Sequence, residues 1–244
     1  LTDVLVVGVQ SMLDLGQAVS DQVVQQLVVN CTNSGNISVL YGGQPGKVCI
    51  GGVVGATKAT QLSTITATCL GTITGCVNTG ELSYSFTTLS AGTYANVGGI
   101  IGYSEANIAS CDNYGSVAYT LQTTDTTVAA TRPALGGIVG STLYSITNCN
   151  NHGAITGKGV WGAGTSGASH AGGSPQPAFG GVAGFAGAIE VSTDYAVSSC
   201  ANYGKVEILD YCKAGGGTSG YIGGVVGGAS IPGDNSHNHG ELDF

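Results

Sequence analysis

Two short patterns alternate along the 244 residues of this chain. Such a recurrence constrains the fold more tightly than composition does, because each copy must take an equivalent place in a stacked architecture. The first pattern is Gly-Gly-apolar-apolar-Gly. It runs Gly51-Gly52-Val53-Val54-Gly55 and returns at 98–102, 136–140, 180–184 and 223–227, with a degenerate copy, Val4-Leu5-Val6-Val7-Gly8, near the start. The second is Cys-x-Asn-x-Gly-x-apolar. Its copies are Cys31, Asn33, Gly35, Ile37; Cys76, Asn78, Gly80, Leu82; Cys111, Asn113, Gly115, Val117; Cys149, Asn151, Gly153, Ile155; and Cys200, Asn202, Gly204, Val206. A sixth copy, Asn238, Gly240 and Leu242, carries Ser236 in the cysteine position.

The plain repeat is read from the spacing. The last glycine of the first pattern precedes the second by 9 positions in three copies (102 to 111, 140 to 149, 227 to 236), and by 16, 21 or 23 in the others. The extra residues, and the Ser/Thr/Gly-rich stretch leading back to the next Gly-Gly, are expected to bulge as loops. The longest of these is Gly157 to Pro177. Each unit is too short for paired helices, and its apolar residues cluster between glycines as strand residues do. The expected fold is all-β: a right-handed parallel β-solenoid (β-helix) of about six degenerate coils with long loop insertions, against a β-sandwich or barrel as competitor.

The chain is expected to be one domain, 1–244. Residues 1–30 form a degenerate first coil or cap, and Ser11 to Leu27, with Met12, Leu15, Val19, Val23 and Leu27 at helical spacing, is a candidate capping helix. In 31–244, like residues stack on like at about 4.8 Å per coil. Cysteines at one repeat position would then form an internal ladder and asparagines a hydrogen-bonded one. One residue of each apolar pair is expected to point inward, and the Asn-x-Gly corner to supply the positive φ of a tight turn.

Composition removes several functions. Six Lys and Arg against fourteen Asp and Glu, net charge -8, leave no basic stripe for nucleic acid. No apolar run approaches the roughly 18–20 residues of a membrane span, so no membrane insertion is expected. The acidic residues are scattered rather than paired as glycoside hydrolysis requires, so no catalytic residue is assigned. Four histidines, His152, His170, His237 and His239, do not make a metal site, and no cofactor is implied. Thr-rich tracts at 64–68 and 123–127 lie in insertions rather than in register, which disfavours an ice-ordering array.

The x of Asn-x-Gly holds Tyr114, His152, Tyr203 and His239 in successive copies, a possible binding stripe for glycans or a neighbouring molecule. Cys49, Cys69 and Cys212 lie off the ladder and are the cysteines open to cross-linking. Asn30 and Asn36 begin glycosylation sequons.

Gly136-Gly137-Ile138-Val139-Gly140, followed by Ile146, Cys149, Asn151, Gly153 and Ile155, resembles the GLUG-type glycine-rich repeats of bacterial surface proteins. In that family a Gly-Gly-apolar-apolar-Gly strand leads into an Asn-x-Gly-x-apolar corner. The resemblance implies a secreted or surface-attached β-solenoid, often associated with adhesion. Three functions stay open: a structural protein assembling with itself end to end, an adhesin recognising glycans or a partner protein, and, least favoured, a carbohydrate-active enzyme. End-to-end assembly is expected because a solenoid coil without a cap offers unpaired strand edges to further copies.

Overall fold

The computed structural model describes residues 25–41, 47–57, 60–61, 68–69, 71–86, 94–121, 132–161, 177–187, 196–213 and 220–243. The degenerate first copy at Val4–Gly8, His170, both Thr-rich tracts apart from Thr68, and most of the candidate capping helix lie outside them. The end of that segment does not continue as helix. Gln25, Gln26 and Leu27 open the strand Gln25–Val29, which pairs with Gly71–Thr74.

The described residues form a parallel β-solenoid. Each full coil, or rung, contributes five short strands. In the third rung these are Asn107–Ala109, Asp112–Asn113, Val117–Leu121, Arg132–Gly136 and Val139–Thr142. Equivalent strands pair in parallel, rung on rung, to give five long sheets, three of six strands and two of five. Repeat positions stay in register, Leu82 pairing with Ile37 and with Val117, and Val117 with Ile155, while register shifts occur between Gln26 and Val28 and between Lys158 and Val160. Among the described residues one pairing is antiparallel, Thr60–Gln61 with Thr68–Cys69, in the insertion ahead of Cys76.

The interior has two lobes. Between the third and fourth sheets lie Leu82, Tyr84, Val97, Val117, Tyr119, Leu135, Ile155 and Phe179; between the others lie Ile73, Ile100, Ile108, Ile138, Ile146, Val182 and the cysteines Cys76, Cys111, Cys149 and Cys200. Each fully buried aliphatic or aromatic side chain here contributes roughly 1.5–3 kcal/mol, so the column of like residues is the main cohesive force.

The Gly-Gly-apolar-apolar-Gly pattern is not one strand. In the second rung a strand ends at Gly98, the chain bends at Gly99 and Ile100, and a new strand begins at Ile101. The apolar pair therefore straddles a corner instead of alternating along a strand. Both members point inward: Ile100, Ile101, Ile138 and Val139 are all fully buried. The expected loop Gly157 to Pro177 is also shorter than its composition suggests, since Ile155–Trp161 is strand and only 162–176 lie outside the described residues.

The positive φ is elsewhere than expected. Among the described residues it falls not on the Asn-x-Gly glycine but on the residue before each ladder cysteine or its serine replacement: Asn30, Gly75, Ser110, Asn148, Ser199 and Asn235, with φ between 45° and 65°. Only one of these six is glycine. An L-residue in that region costs about 1–2 kcal/mol, offset at five of the six positions, all but Asn235, by an N-H held by the next rung, as Ser110 N-H is by Thr147 O at 3.0 Å. Ser110→Gly is therefore expected to stabilise the protein by about 0.5–1 kcal/mol, the relief being offset by glycine's extra freedom when unfolded. Gly75→Ala should destabilise it by a similar amount or more, because the new Cβ would also press on Asn30 Oδ1. Urea unfolding midpoints read both.

Candidate functional site

The second pattern builds three adjacent columns, one of amides, one of thiols and one of rings. Asparagine carries two donors and two acceptor lone pairs, so a buried copy is stable only if all four are met. At Asn151 they are. Its Nδ2 donates to Gly153 O at 2.7 Å and to Asn202 Oδ1 at 2.8 Å, while its Oδ1 accepts from Gly153 N at 3.2 Å and from Asn113 Nδ2 at 2.8 Å. The same amide-to-amide bond runs from Asn33 to Asn78, Asn78 to Asn113 and Asn202 to Asn238, at 2.7 or 2.8 Å. Every one points the same way along the axis.

The second glycine of the first pattern and the glycine of the second make room for this ladder. A Cβ on Gly115, Gly153, Gly204 or Gly240 would fall inside the van der Waals shell of the carbonyl oxygen of the glycine one rung before. A Cβ on the second glycine of Gly99, Gly137, Gly181 or Gly224 would collide with the amide of Asn113, Asn151, Asn202 or Asn238. The bare corner of one pattern thus closes over the amide of the other, and the contact forms the waist between the two apolar lobes. Sequence inspection finds both patterns without finding that they touch. The strict alternation of the two patterns is the one signal of it, since the spacing between them varies from 9 to 23 residues.

The thiols run beside the amides. Cys76, Cys111, Cys149 and Cys200 are buried, while Cys31, in the first rung, is exposed. Each sulfur points at the carbonyl two residues back, as in Cys111 to Ala109 O at 3.3 Å and Cys149 to Thr147 O at 3.2 Å. Ser236 Oγ repeats this with Asp234 O at 3.1 Å, which explains why serine serves there. Burial, then the thiols of Cys111 and Cys200, push the Cys149 thiol up. A thiolate facing carbonyl oxygens without water is disfavoured, so these are structural and unreactive thiols. Iodoacetamide under native conditions is expected to label Cys31 and to leave Cys149 and Cys200 intact until denaturation, as peptide mass spectrometry would show. Of the off-ladder cysteines, Cys49 packs beside Tyr103, Leu143 and Tyr144; Cys69 and Cys212 fall in the strands Thr68–Cys69 and Val206–Lys213.

The ring column is on the outside. Tyr114, His152, Tyr203 and His239 stack with centroids 4.6, 4.8 and 5.0 Å apart and planes within 8° of parallel. Their backbones fix the spacing, since His152 N-H donates to Asn113 O, and Tyr203 N-H to Asn151 O, at 2.7 Å. Half of each tyrosine is exposed, 53% for Tyr114 and 49% for Tyr203. A sugar stacks on an aromatic face, but both faces of His152 and Tyr203 are taken by neighbouring rings. At these two inner rings only the edges are left for a ligand.

Elsewhere, Tyr103 donates to Glu105 Oε1 at 2.9 Å, and burial, followed by that carboxylate, raises its phenol. Lys205 bonds Glu207 at 2.7 Å and Asp243 at 3.0 Å; Glu207 first, then Asp243, raises its ammonium. Among the described residues no three His, Cys, Asp or Glu side chains are grouped to hold a metal ion, and no helix is long and apolar enough to cross a membrane.

Parallel strands stacked in register around paired glycine corners and an asparagine ladder define the class: a glycine-rich parallel β-solenoid. Residues 132–156 match the family model described as the GLUG motif. That segment covers the fourth and fifth strands of the third rung and continues to the start of the third strand of the next, so one motif is nearly one turn of the solenoid. Compared with curated proteins and with solved structures, the chain finds no match in either.

Proposed function

We propose that this protein is an extracellular, non-catalytic structural protein whose solenoids add head to tail, the last rung of one copy on the first rung of the next. The observation that carries the reading is the uniform direction of the amide ladder. Among the described residues Asn33 Oδ1 accepts from Gly35 N-H and Asn238 Nδ2 donates to Gly240 O, so an acceptor faces one end of the described ladder and a donor faces the other. A second copy in the same register would join them as a further rung. Apolar positions support it: Val225 and Val226 are half-buried and Leu242 is exposed, whereas their counterparts Ile138, Val139 and Ile155 are fully buried. Low charge density and the GLUG motif agree with a surface protein that is covered by neighbours.

Electron microscopy and sedimentation of the concentrated protein test this. Fibres with an axial repeat of about 29 Å, six rungs at about 4.8 Å, are expected, and Leu242→Lys should abolish them while leaving the circular dichroism unchanged. A wild-type protein that stays monomeric at every concentration would refute it.

A further inference from the structure

We propose that the exposed column Tyr114–His152–Tyr203–His239 is a docking surface for a second copy of this chain lying antiparallel, side against side. This lateral contact is separate from head-to-tail stacking and does not depend on it. The first argument is chemical. Along the axis the ring edges read tyrosine, histidine, tyrosine, histidine, and a two-fold axis perpendicular to the solenoid reverses that order. Tyr114 then faces His239 of the other copy, and His152 faces Tyr203. Each phenol O-H meets an imidazole nitrogen, so four O-H to N bonds form at once across an isologous contact. A parallel copy in register would set tyrosine on tyrosine and histidine on histidine.

The second argument is shape. Tyrosine reaches farther from the backbone than histidine, so the ridge alternates long and short at every rung. Reversal places each long ring opposite a short one and lets two otherwise identical ridges interdigitate. The third is the neighbouring column, two residues earlier in each unit: Asp112, Asn150, Ala201 and His237. The same reversal brings the Asp112 carboxylate opposite His237 of the other copy. Asp112 keeps one oxygen for this, since the bond it accepts from Asn150 uses Oδ1. Neither Tyr114 nor Tyr203 makes a side-chain hydrogen bond within the described residues, while the ring planes are held rigidly by rung spacing. The donors are thus pre-positioned, which limits the entropy lost on docking.

Four rungs span only about 14 Å, a contact at the small end of specific interfaces, so the pairing of single copies is weak and strengthens when several columns act together.

The test uses the full chain carrying Leu242→Lys, which removes head-to-tail growth from the readout, and sedimentation equilibrium over a concentration series. A reversible dimer is expected. Tyr114→Phe/Tyr203→Phe keeps the stacked rings but removes the hydroxyls, and should weaken the dimer at least tenfold. A tyrosine-only column (His152→Tyr/His239→Tyr) and a histidine-only column (Tyr114→His/Tyr203→His) should each fail to self-associate, yet form a heterodimer when mixed. Far-UV circular dichroism of each variant reports folding independently. A folded Leu242→Lys protein that is monomeric throughout, or column variants that dimerise like it or fail to complement one another, would overturn the proposal.

Discussion

Asn151→Ala is expected to be among the most damaging single substitutions in this protein, at about 3–5 kcal/mol. The side chain is fully buried, and all four of its hydrogen bonds lie inside the solenoid. Truncation strands Asn113 Nδ2-H, Asn202 Oδ1 and both backbone groups of Gly153, each a buried polar group costing about 1–3 kcal/mol when unmet. Partial relaxation of the rungs recovers some of that, so the total falls below the simple sum. Asn151→Asp should be as harmful, because a carboxylate offers no donor to Gly153 O or Asn202 Oδ1 and carries a desolvated charge. Asn238→Ala removes one ladder link and the bond to Gly240 O at the last described rung, where the side chain is exposed and water can replace both, and should cost about 1 kcal/mol. Chemical denaturation of the three variants checks the ranking; equal losses at Asn151 and Asn238 would show that the ladder is not what holds the coil closed.

Gly153→Ala should prevent folding or lower the stability by about 3 kcal/mol or more, although it adds only one methyl group. That methyl would overlap the carbonyl oxygen of Gly115, which is backbone and cannot rotate away. Two rungs would have to separate locally, breaking the hydrogen bond from Asn113 Nδ2 to Asn151 Oδ1 as well. Overpacking alone usually costs about 1–3 kcal/mol, and here the loss of ladder bonds adds to it. Gly35→Ala is the matched control. At that first-rung glycine the nearest atom to a new Cβ, Asn33 Oδ1, is at an ordinary 3.7 Å, so the variant should fold normally. Soluble yield and thermal unfolding of the pair separate the two outcomes.

Much of this is legible in the sequence. The two patterns, their order and their in-register stacking follow from repeat detection, since Val, Ile and Leu recur at fixed offsets from Gly and Asn. The role of the Gly-Gly pair is not legible in the same way. A strand and a bent corner both accept Gly-Gly-Ile-Val-Gly, and only the position of Asn151 across the coil from Gly137 distinguishes them. The positive φ lies off the Asn-x-Gly corner for a related reason. Asn-x-Gly has the composition of a turn, yet its glycine is required by close approach of backbones rather than by φ. The true positions, Asn30, Gly75, Ser110, Asn148, Ser199 and Asn235, are all small residues that suit a tight corner. That regularity was present in the sequence, immediately before the more conspicuous cysteines.

Stacking like on like also determines how such a chain can reach its native state. The amide ladder joins residues 35 to 51 positions apart, and among the described residues the strands of the five long sheets pair only with strands of neighbouring rungs. Folding must therefore begin with an unfavourable pairing of two distant segments, after which each new rung adds to a finished template. The insertions scarcely alter this barrier. By loop-closure entropy, lengthening a turn from 35 to 51 residues costs only about 0.3 kcal/mol. Insertions of very different length can thus accumulate between the strands at little kinetic expense, while the few residues that form the first rung pair control how fast the whole molecule folds.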